Sequence, residues 1–202
     1  MNIILASASP RRREILSGLG LDFSVLVPDV DETSDITDPA ALVRELAERK
    51  GRGAREMLST AGKLTSDTLV ISSDTLVWCD NCLLGKPRDE DDARRMLHLM
   101  SGRQHTVFSG IALSLGTHTV SDVSATHVRF SDMTDREIDS YLSRCSYMDK
   151  AGAYAIQQGA AMFIDGIDGD FFTVMGLPVR CMYRLARDGL GIDLGQLCHK
   201  SE

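Results

Sequence analysis

No segment of this chain narrows the choice of fold as much as Thr68-Leu69-Val70-Ile71, an apolar run that gives way to Ser72-Ser73-Asp74-Thr75. A short run without polar alternation suits a strand covered on both faces, at the centre of a sheet with helices on either side. A carboxylate at the carboxyl end of such a strand stands where open α/β sheets place their ligands. Asp74 is therefore the first residue to weigh for chemistry, as a metal ligand or as a proton acceptor toward water. The plain alternative is an aspartate that caps a turn.

The remaining periodicities alternate between strand and helix. Residues 3–6 predict a first strand, followed by a helix with Ser9 as N-cap, Pro10 at its first position and Ile15, Leu16 and Leu19 on one face, stopped by Gly20. Residues 23–27 predict a second strand. An acidic loop over 29–38 then leads to a long helix opened by Asp38-Pro39, with Leu42, Val43, Leu46, Ala47 and Ala54 inward and Lys50 on the same helix. Residues 76–84 read as a hairpin turning at Asp80-Asn81 and broken by Gly85-Lys86-Pro87.

A helix near Asp91 carries Ala93, Met96, Leu97 and Met100 at helical spacing and ends at Gly102. Residues 106–115 and 120–130 read as long antiparallel strands joined through Gly116-Thr117, and Thr134 to Glu137 has capping-box spacing for another helix. Residues 149–157, rich in small side chains and without clear period, read as a functional loop. Residues 162–167 and 171–174 read as a last hairpin before a helix opened by Gly176-Leu177-Pro178. No repeat or linker divides the chain, so residues 1–202 are expected to form one domain. Its class is α/β or α+β, a mixed sheet with helices on both sides.

Composition excludes several kinds of function. The formal net charge of -7 opposes wrapping of a nucleic-acid polymer, which needs a broad basic surface. Any phosphate-bearing ligand must then be held by a local cluster of cations. No apolar run approaches the roughly 20 residues that span a bilayer. The first apolar stretch is short and followed, not preceded, by arginines, unlike a signal peptide, so the expected location is cytoplasmic. Five scattered cysteines do not form a secreted disulfide framework.

The segment Ser7-Ala8-Ser9-Pro10-Arg11-Arg12-Arg13 joins three features of an anion site: a helix N-terminus, small residues before it, and arginine forks. Solvated arginines on a capped helix are the plain reading. Yet the helix dipole disfavours cations at that end, so the run favours a phosphate. Glu32, Lys50, Lys86 and Lys150 are each, taken singly, ordinary surface charges. Lys86, pinned between Gly85 and Pro87, and Lys150, between Asp149 and Gly152, lie in tight loops of the kind that carry function.

Other patterns fail. Trp78-Cys79-Asp80-Asn81-Cys82 imitates a thioredoxin motif, but a hairpin turn stands where that motif needs a helix, and the cysteines read as structural. Gly85-Lys86 lacks the rest of a P-loop and Gly18-Leu19-Gly20 the rest of a dinucleotide fingerprint. His98, His105, His118, His127 and His199 show no zinc spacing and read as surface or strand residues.

With these residues in view, the chain resembles the Maf family of nucleotide pyrophosphatases over nearly its whole length. The resemblance runs through LASASPRR (5–12), ELAERK (45–50), SSDTLV (72–77), GKP (85–87), DKAGAYAIQ (149–157) and GLP (176–178). It implies a two-lobed α/β fold like that of the inosine triphosphate pyrophosphatases. It also implies hydrolysis of a nucleoside triphosphate between the α and β phosphates with a divalent cation, Mg²⁺ or Mn²⁺, in a cytoplasmic house-cleaning role.

Arg11, Thr75 and Gln157 match the subgroup that acts on dTTP and UTP and become specificity residues, Gln157 facing a pyrimidine edge through its amide. Asp74 becomes the general base or a metal-bound carboxylate, with Glu32 as its companion at the metal. Ser7, Arg12, Glu32, Lys50, Lys86 and Lys150 fall on positions lining the family's cleft. The chain departs from the family pattern at Ser73, where a small Ala is usual, and at Ala155-Ile156-Gln157-Gln158, where Gly-Ile-Gln-Gly is usual. A 7-methyl-GTP or inosine triphosphate pyrophosphatase and a regulator of septum formation stand as alternatives, and a homodimer follows by analogy alone.

Overall fold

The structure, a computed structural model, describes residues 1–199. A seven-stranded mixed sheet runs β2 (Ser24–Val25), β1 (Asn2–Leu5), β3 (Thr68–Cys79), β5 (Gln104–Leu115), β6 (His118–Phe130) and β7 (Ile164–Asp168), while β4 (Cys82–Leu84) pairs with the far end of β3. β1 is parallel to β2 and β3; every other pairing is antiparallel.

Side-chain alternation along the parallel strands feeds two cores. Ile3, Leu5, Leu69 and Ile71 join the larger cluster, while Ile4, Ala6 and Val70 pack with Ala54 and Leu58 of the long helix α2 (Pro39–Thr60). Each such aliphatic side chain contributes about 1.5–3 kcal/mol when fully buried. α2 covers one face of the sheet. The other is covered by α1 (Pro10–Gly18), α3 (Glu90–Met100), α4 (Asp135–Arg144), α5 (Phe171–Met175) and α6 (Val179–Arg184). The mixed sheet with helices on both sides is thus as the sequence predicts, as are the capping box at Thr134 and the turn at Asp80-Asn81, both with positive φ.

Three expectations are corrected. The strand does not end with the apolar run at Ile71: β3 continues through Asp74 to Cys79, because β5 pairs with it from Leu69↔Leu115 to Trp78↔Thr106. Asp74 is therefore a mid-strand residue. What ends near Ile71 is the parallel neighbour β1, paired only as far as Leu5↔Ile71. The second strand is confined to Ser24–Val25. The last hairpin does not form: β7 pairs with β6, and Phe171–Met175 is a short helix, because the Asp170 carboxylate caps it by accepting from the Phe172 and Thr173 N–H groups.

Close approach of α2 to the sheet sets the position of the site. A Cβ on Gly110, which faces Asp74 across the ladder, would lie 2.1 Å from the Val43 carbonyl oxygen, and one on Gly51 would lie 2.7 Å from Ser72 Oγ. The Ser72 hydroxyl donates to Ala47 O at 2.7 Å. Small residues on both surfaces let the helix backbone lie down on β3 and β5, and Lys50 arrives over the strand.

Candidate functional site

A cleft of about 560 Å³ opens over β3. One wall is built from the β1–α1 turn, the loop before α2 and α2 itself; the other from the β4–α3 turn and segment 149–157. Asp74 lies between them. Lys50 Nζ lies 2.5 Å from Asp74 Oδ1 and 3.0 Å from Glu32 Oε1, so one ammonium is shared by two carboxylates. Lys50 and Asp74 are largely shielded from solvent, whereas Glu32 is exposed.

Residues Ala8 to Arg11 also line the cleft. Ser9 occupies the N-cap of α1 as predicted, yet its side chain caps nothing, and no acidic residue sits in the first turn. The open N–H groups and dipole of this end favour an anion. Ser7 Oγ instead accepts from the Ser9 N–H at 3.1 Å.

Arg12 is a staple. Its Nε donates to Gly176 O at 2.7 Å, Nη1 to Ser7 Oγ at 3.1 Å and Nη2 to Thr75 Oγ1 at 3.2 Å. Burial lowers its pKa from the ordinary value, with Asp74 opposing, Arg11 reinforcing and Glu32 opposing. Arg11 crosses to the other wall, where its Nη1 donates to Asp149 Oδ2 at 2.9 Å. Thr75 shares a 2.8 Å hydrogen bond with Ser109 Oγ. On the same face of β3 as Thr75, and opposite to Asp74, Ser73 Oγ lies 2.7 Å from Gly110 O and 2.9 Å from Gly176 O. The departure at Ser73 thus adds a hydroxyl that ties the Gly176 turn to the sheet.

Lys86 stands exposed at the rim, and Lys150 is buried with Nζ 2.6 Å from Asp149 Oδ1. The two loops are joined, since Gly152 N–H donates to Gly85 O at 3.0 Å. Burial of Asp149 would raise its pKa, but the hydrogen bonds from Lys150 and Arg11 outweigh it and hold the carboxyl below its ordinary value. Gly152 and Ala153 both adopt positive φ, 69° and 60°, and for Ala153 such a conformation costs about 1–2 kcal/mol.

Several hydrogen bonds hold this strained turn. Tyr141 Oη donates to Ala153 O at 3.3 Å, and Tyr154 Oη lies 2.8 Å from Nε2 of His105, a residue of β5 that is 2% exposed. Burial pulls the His105 pKa down to about 4, so the ring is neutral at neutral pH. Gln157 ends the loop at the cleft. Among the described residues its buried Oε1 has no hydrogen-bond partner, which is costly unless something arrives to donate to it.

All ten residues singled out from the sequence therefore line one cleft: Ser7, Arg11, Arg12, Glu32, Lys50, Asp74, Thr75, Lys86, Lys150 and Gln157. Sequence reasoning did not single out Asp149, which partners both Arg11 and Lys150, the Gly176 carbonyl that receives Arg12, or the His105–Tyr154 pair. The consecutive hydroxyls Ser72-Ser73 inside a buried strand were a readable signal that something packs closely there. Among the described residues no group of three or more His, Cys, Asp or Glu side chains is arranged to hold a metal ion. Asp74 and Glu32 do converge on one cation, Lys50, a donor set that suits a hard ion completed by phosphate oxygens and water.

The fold and cleft define a mixed α/β protein whose central strand sets a carboxylate beneath cations from two walls, an arrangement suited to a polyanion. Within that class, the chain belongs to the Maf-like protein family, which matches residues 2–188. It is 41% identical over 196 residues to the dTTP/UTP pyrophosphatase of Thermoanaerobacter sp. (strain X514), covering 96% of this chain and 100% of that protein. It is 38% identical to the dTTP/UTP pyrophosphatase of Bacillus cereus (strain B4264), covering 90% and 92% of the two chains. The dTTP/UTP pyrophosphatase of Thermotoga maritima is 41% identical over 91% of this chain and 87% of its own length. The structure of the Staphylococcus aureus Ham1 protein is similar with a TM-score of 0.49 at 15% identity, covering 95% of this chain and 98% of that one. No described helix is long and apolar enough to cross a membrane.

Proposed function

We propose that this protein is a nucleoside triphosphate pyrophosphatase that hydrolyses dTTP and UTP to the monophosphate and pyrophosphate. The observation that carries the reading is the placement of Asp74 at the floor of a cleft bearing Arg11, Arg12, Lys50, Lys86 and Lys150. The names of its relatives supply the substrate pair.

A triphosphate carries nearly four negative charges, and its cleavage depends on positioning and electrostatic stabilisation. The open N-terminus of α1 and Arg12 receive phosphate oxygens from one wall, Lys86 and Lys150 from the other. Asp74, oriented through Oδ1 by Lys50, accepts on its second oxygen the proton of the water that attacks the α-phosphorus. Pyrophosphate departs with its charge matched by the lysines. A divalent cation, Mg²⁺ or Mn²⁺, held by Asp74 and Glu32, supplies charge neutralisation and a more acidic water. At the base end, Gln157 offers its unpaired Oε1 and its amide N–H to the ring edge of uracil or thymine, with Arg11 and Thr75 shaping the same selectivity.

The reading extends to residues 1–202 as one Maf-like domain, a cytoplasmic house-cleaning role, and a homodimer that sedimentation would test. The decisive experiment is pyrophosphate release with Mg²⁺ or Mn²⁺ over dTTP, UTP, CTP, GTP, 7-methyl-GTP and ITP. Release confined to dTTP and UTP is expected; a preference for 7-methyl-GTP or ITP would overturn the base assignment, and no release with nucleotide still bound would overturn the reaction.

A further inference from the structure

The hairpin between β3 and β4 carries a feature that the proposed chemistry leaves unused. Cys79 and Cys82 are directly opposed partners in the ladder, flanking the two-residue turn Asp80-Asn81. Opposed Cα atoms in an antiparallel pair lie about 4.5–5.5 Å apart, and a disulfide accepts about 4.4–6.8 Å. Their environments differ. Cys82 is exposed, whereas Cys79 is 2% exposed with its Sγ 3.7 Å from Leu99 O of α3.

We infer that Cys79 and Cys82 form a reversible intramolecular disulfide, a redox modification site at the base of the loop that carries Lys86. The exposed Cys82 thiol meets the oxidant first. With a small disulfide such as oxidised glutathione, Cys82 displaces one glutathione as its thiol and becomes a mixed disulfide. Cys79 then turns from Leu99 O and attacks the Cys82 sulfur, releasing the second glutathione. Two protein thiols are oxidised by two electrons, and one oxidised glutathione becomes two reduced ones. The buried Cys79 waits for this second step, since burial raises its thiol pKa, Arg103 opposing and Asp80 and Cys82 adding to the rise. Opposed Cβ atoms on a ladder are about 4.5–5.5 Å apart whereas a disulfide holds them at about 3.8 Å, so closing the bond draws the strands together and leaves it readily reduced.

The consequence reaches the cleft because β4 is short. Leu83 lines the cleft, Leu84 is fully buried, and Gly85, whose carbonyl accepts from Gly152, leads directly to Lys86. Drawing Cys82 toward Cys79 shifts this strand, and with it Lys86. This last step alone rests on the proposed pyrophosphatase activity.

The test incubates the native protein with oxidised glutathione and reads thiols by alkylation and peptide mass, then KM for UTP. Free thiols are expected to fall from five to three, with the peptide holding both Cys79 and Cys82 unalkylated and lighter by about 2 Da, reversibly by dithiothreitol. Cys82→Ser, an exposed and structurally mild change, should abolish the bond, while Cys198→Ser should not. A stable glutathione adduct on Cys82, or a disulfide using any other cysteine, overturns the site. An unchanged KM in the oxidised protein overturns its link to Lys86. A protein with no activity in either state undermines the pyrophosphatase reading and leaves the thiol result standing.

Discussion

Lys50 Nζ sits 2.5 Å from Oδ1 of Asp74, in a position created by glycine and serine contacts between α2 and the strand beneath it. The pair fixes one carboxylate oxygen and leaves the other for chemistry. Asp74→Asn keeps the shape and removes the carboxylate on which the proposed mechanism depends. Turnover should fall by about 10²-fold or more, with nucleotide affinity measured by calorimetry largely retained. Near-normal turnover would remove Asp74 from the mechanism.

Chelation separates catalysis from folding. Since, among the described residues, two carboxylates, Asp74 and Glu32, converge there, the cation is expected to complete its shell with substrate and water and to contribute little to the folded state. EDTA should abolish pyrophosphate release while the melting temperature of the nucleotide-free protein stays unchanged. A large drop in that temperature would point to a structural metal instead.

Arg12 joins three segments through Nε and both Nη atoms, a planar fork that lysine cannot reproduce. Arg12→Lys should cost about 1–3 kcal/mol in urea unfolding and lower kcat/KM as well. Arg13→Lys, on an exposed position of the same helix, should change neither.

Gln157 holds a buried amide oxygen without a partner at the cleft wall. Gln157→Glu replaces the amide donor with a second acceptor. The ratio of kcat/KM for dTTP over GTP should change by roughly tenfold or more, the range of a hydrogen bond lost to an unpaired buried group. An unchanged ratio would separate Gln157 from base recognition.

His105 gives a pH signature. Its folded pKa, about 4, lies below the ordinary 6.5, so between those values the unfolded chain binds more protons than the folded one. Stability is therefore complete above about pH 6.5 and is lost as pH falls toward about 4, by about 3 kcal/mol in all. In urea titrations the wild type should lose about 2 kcal/mol more than His105→Phe between pH 7 and pH 5. Equal losses would mean that folding does not lower the His105 pKa.

Much of this was legible in the sequence, for identifiable reasons. The capped helices at Asp38 and Thr134 are specified by local hydrogen bonds, and so both appear where the spacing puts them. The ten cleft residues were legible singly, through tight loops and a charge run. Their convergence depends on α2 lying close to β5, which Gly110 permits from 60 positions beyond Lys50. The length of β3 was misread because its polar middle, Ser72-Ser73-Asp74-Thr75, mimics a turn. Those side chains find partners on α2, β5 and the Gly176 turn, so the strand need not end to satisfy them. Residues 171–174 failed in the opposite sense: their apolar character suits a strand, but the Asp170 cap acts on the backbone first.

The unbroken run of β3 beneath the cleft has a mechanical meaning. A hinge needs a few residues whose backbone angles are free to change, and every residue from Leu69 to Trp78 is laced to β5. The floor that carries Asp74 is thus a keel rather than a joint. Any movement that admits or releases a ligand would therefore have to come from the flanking segments, such as the Arg11–Asp149 tie across the mouth, rather than from the strand that carries Asp74.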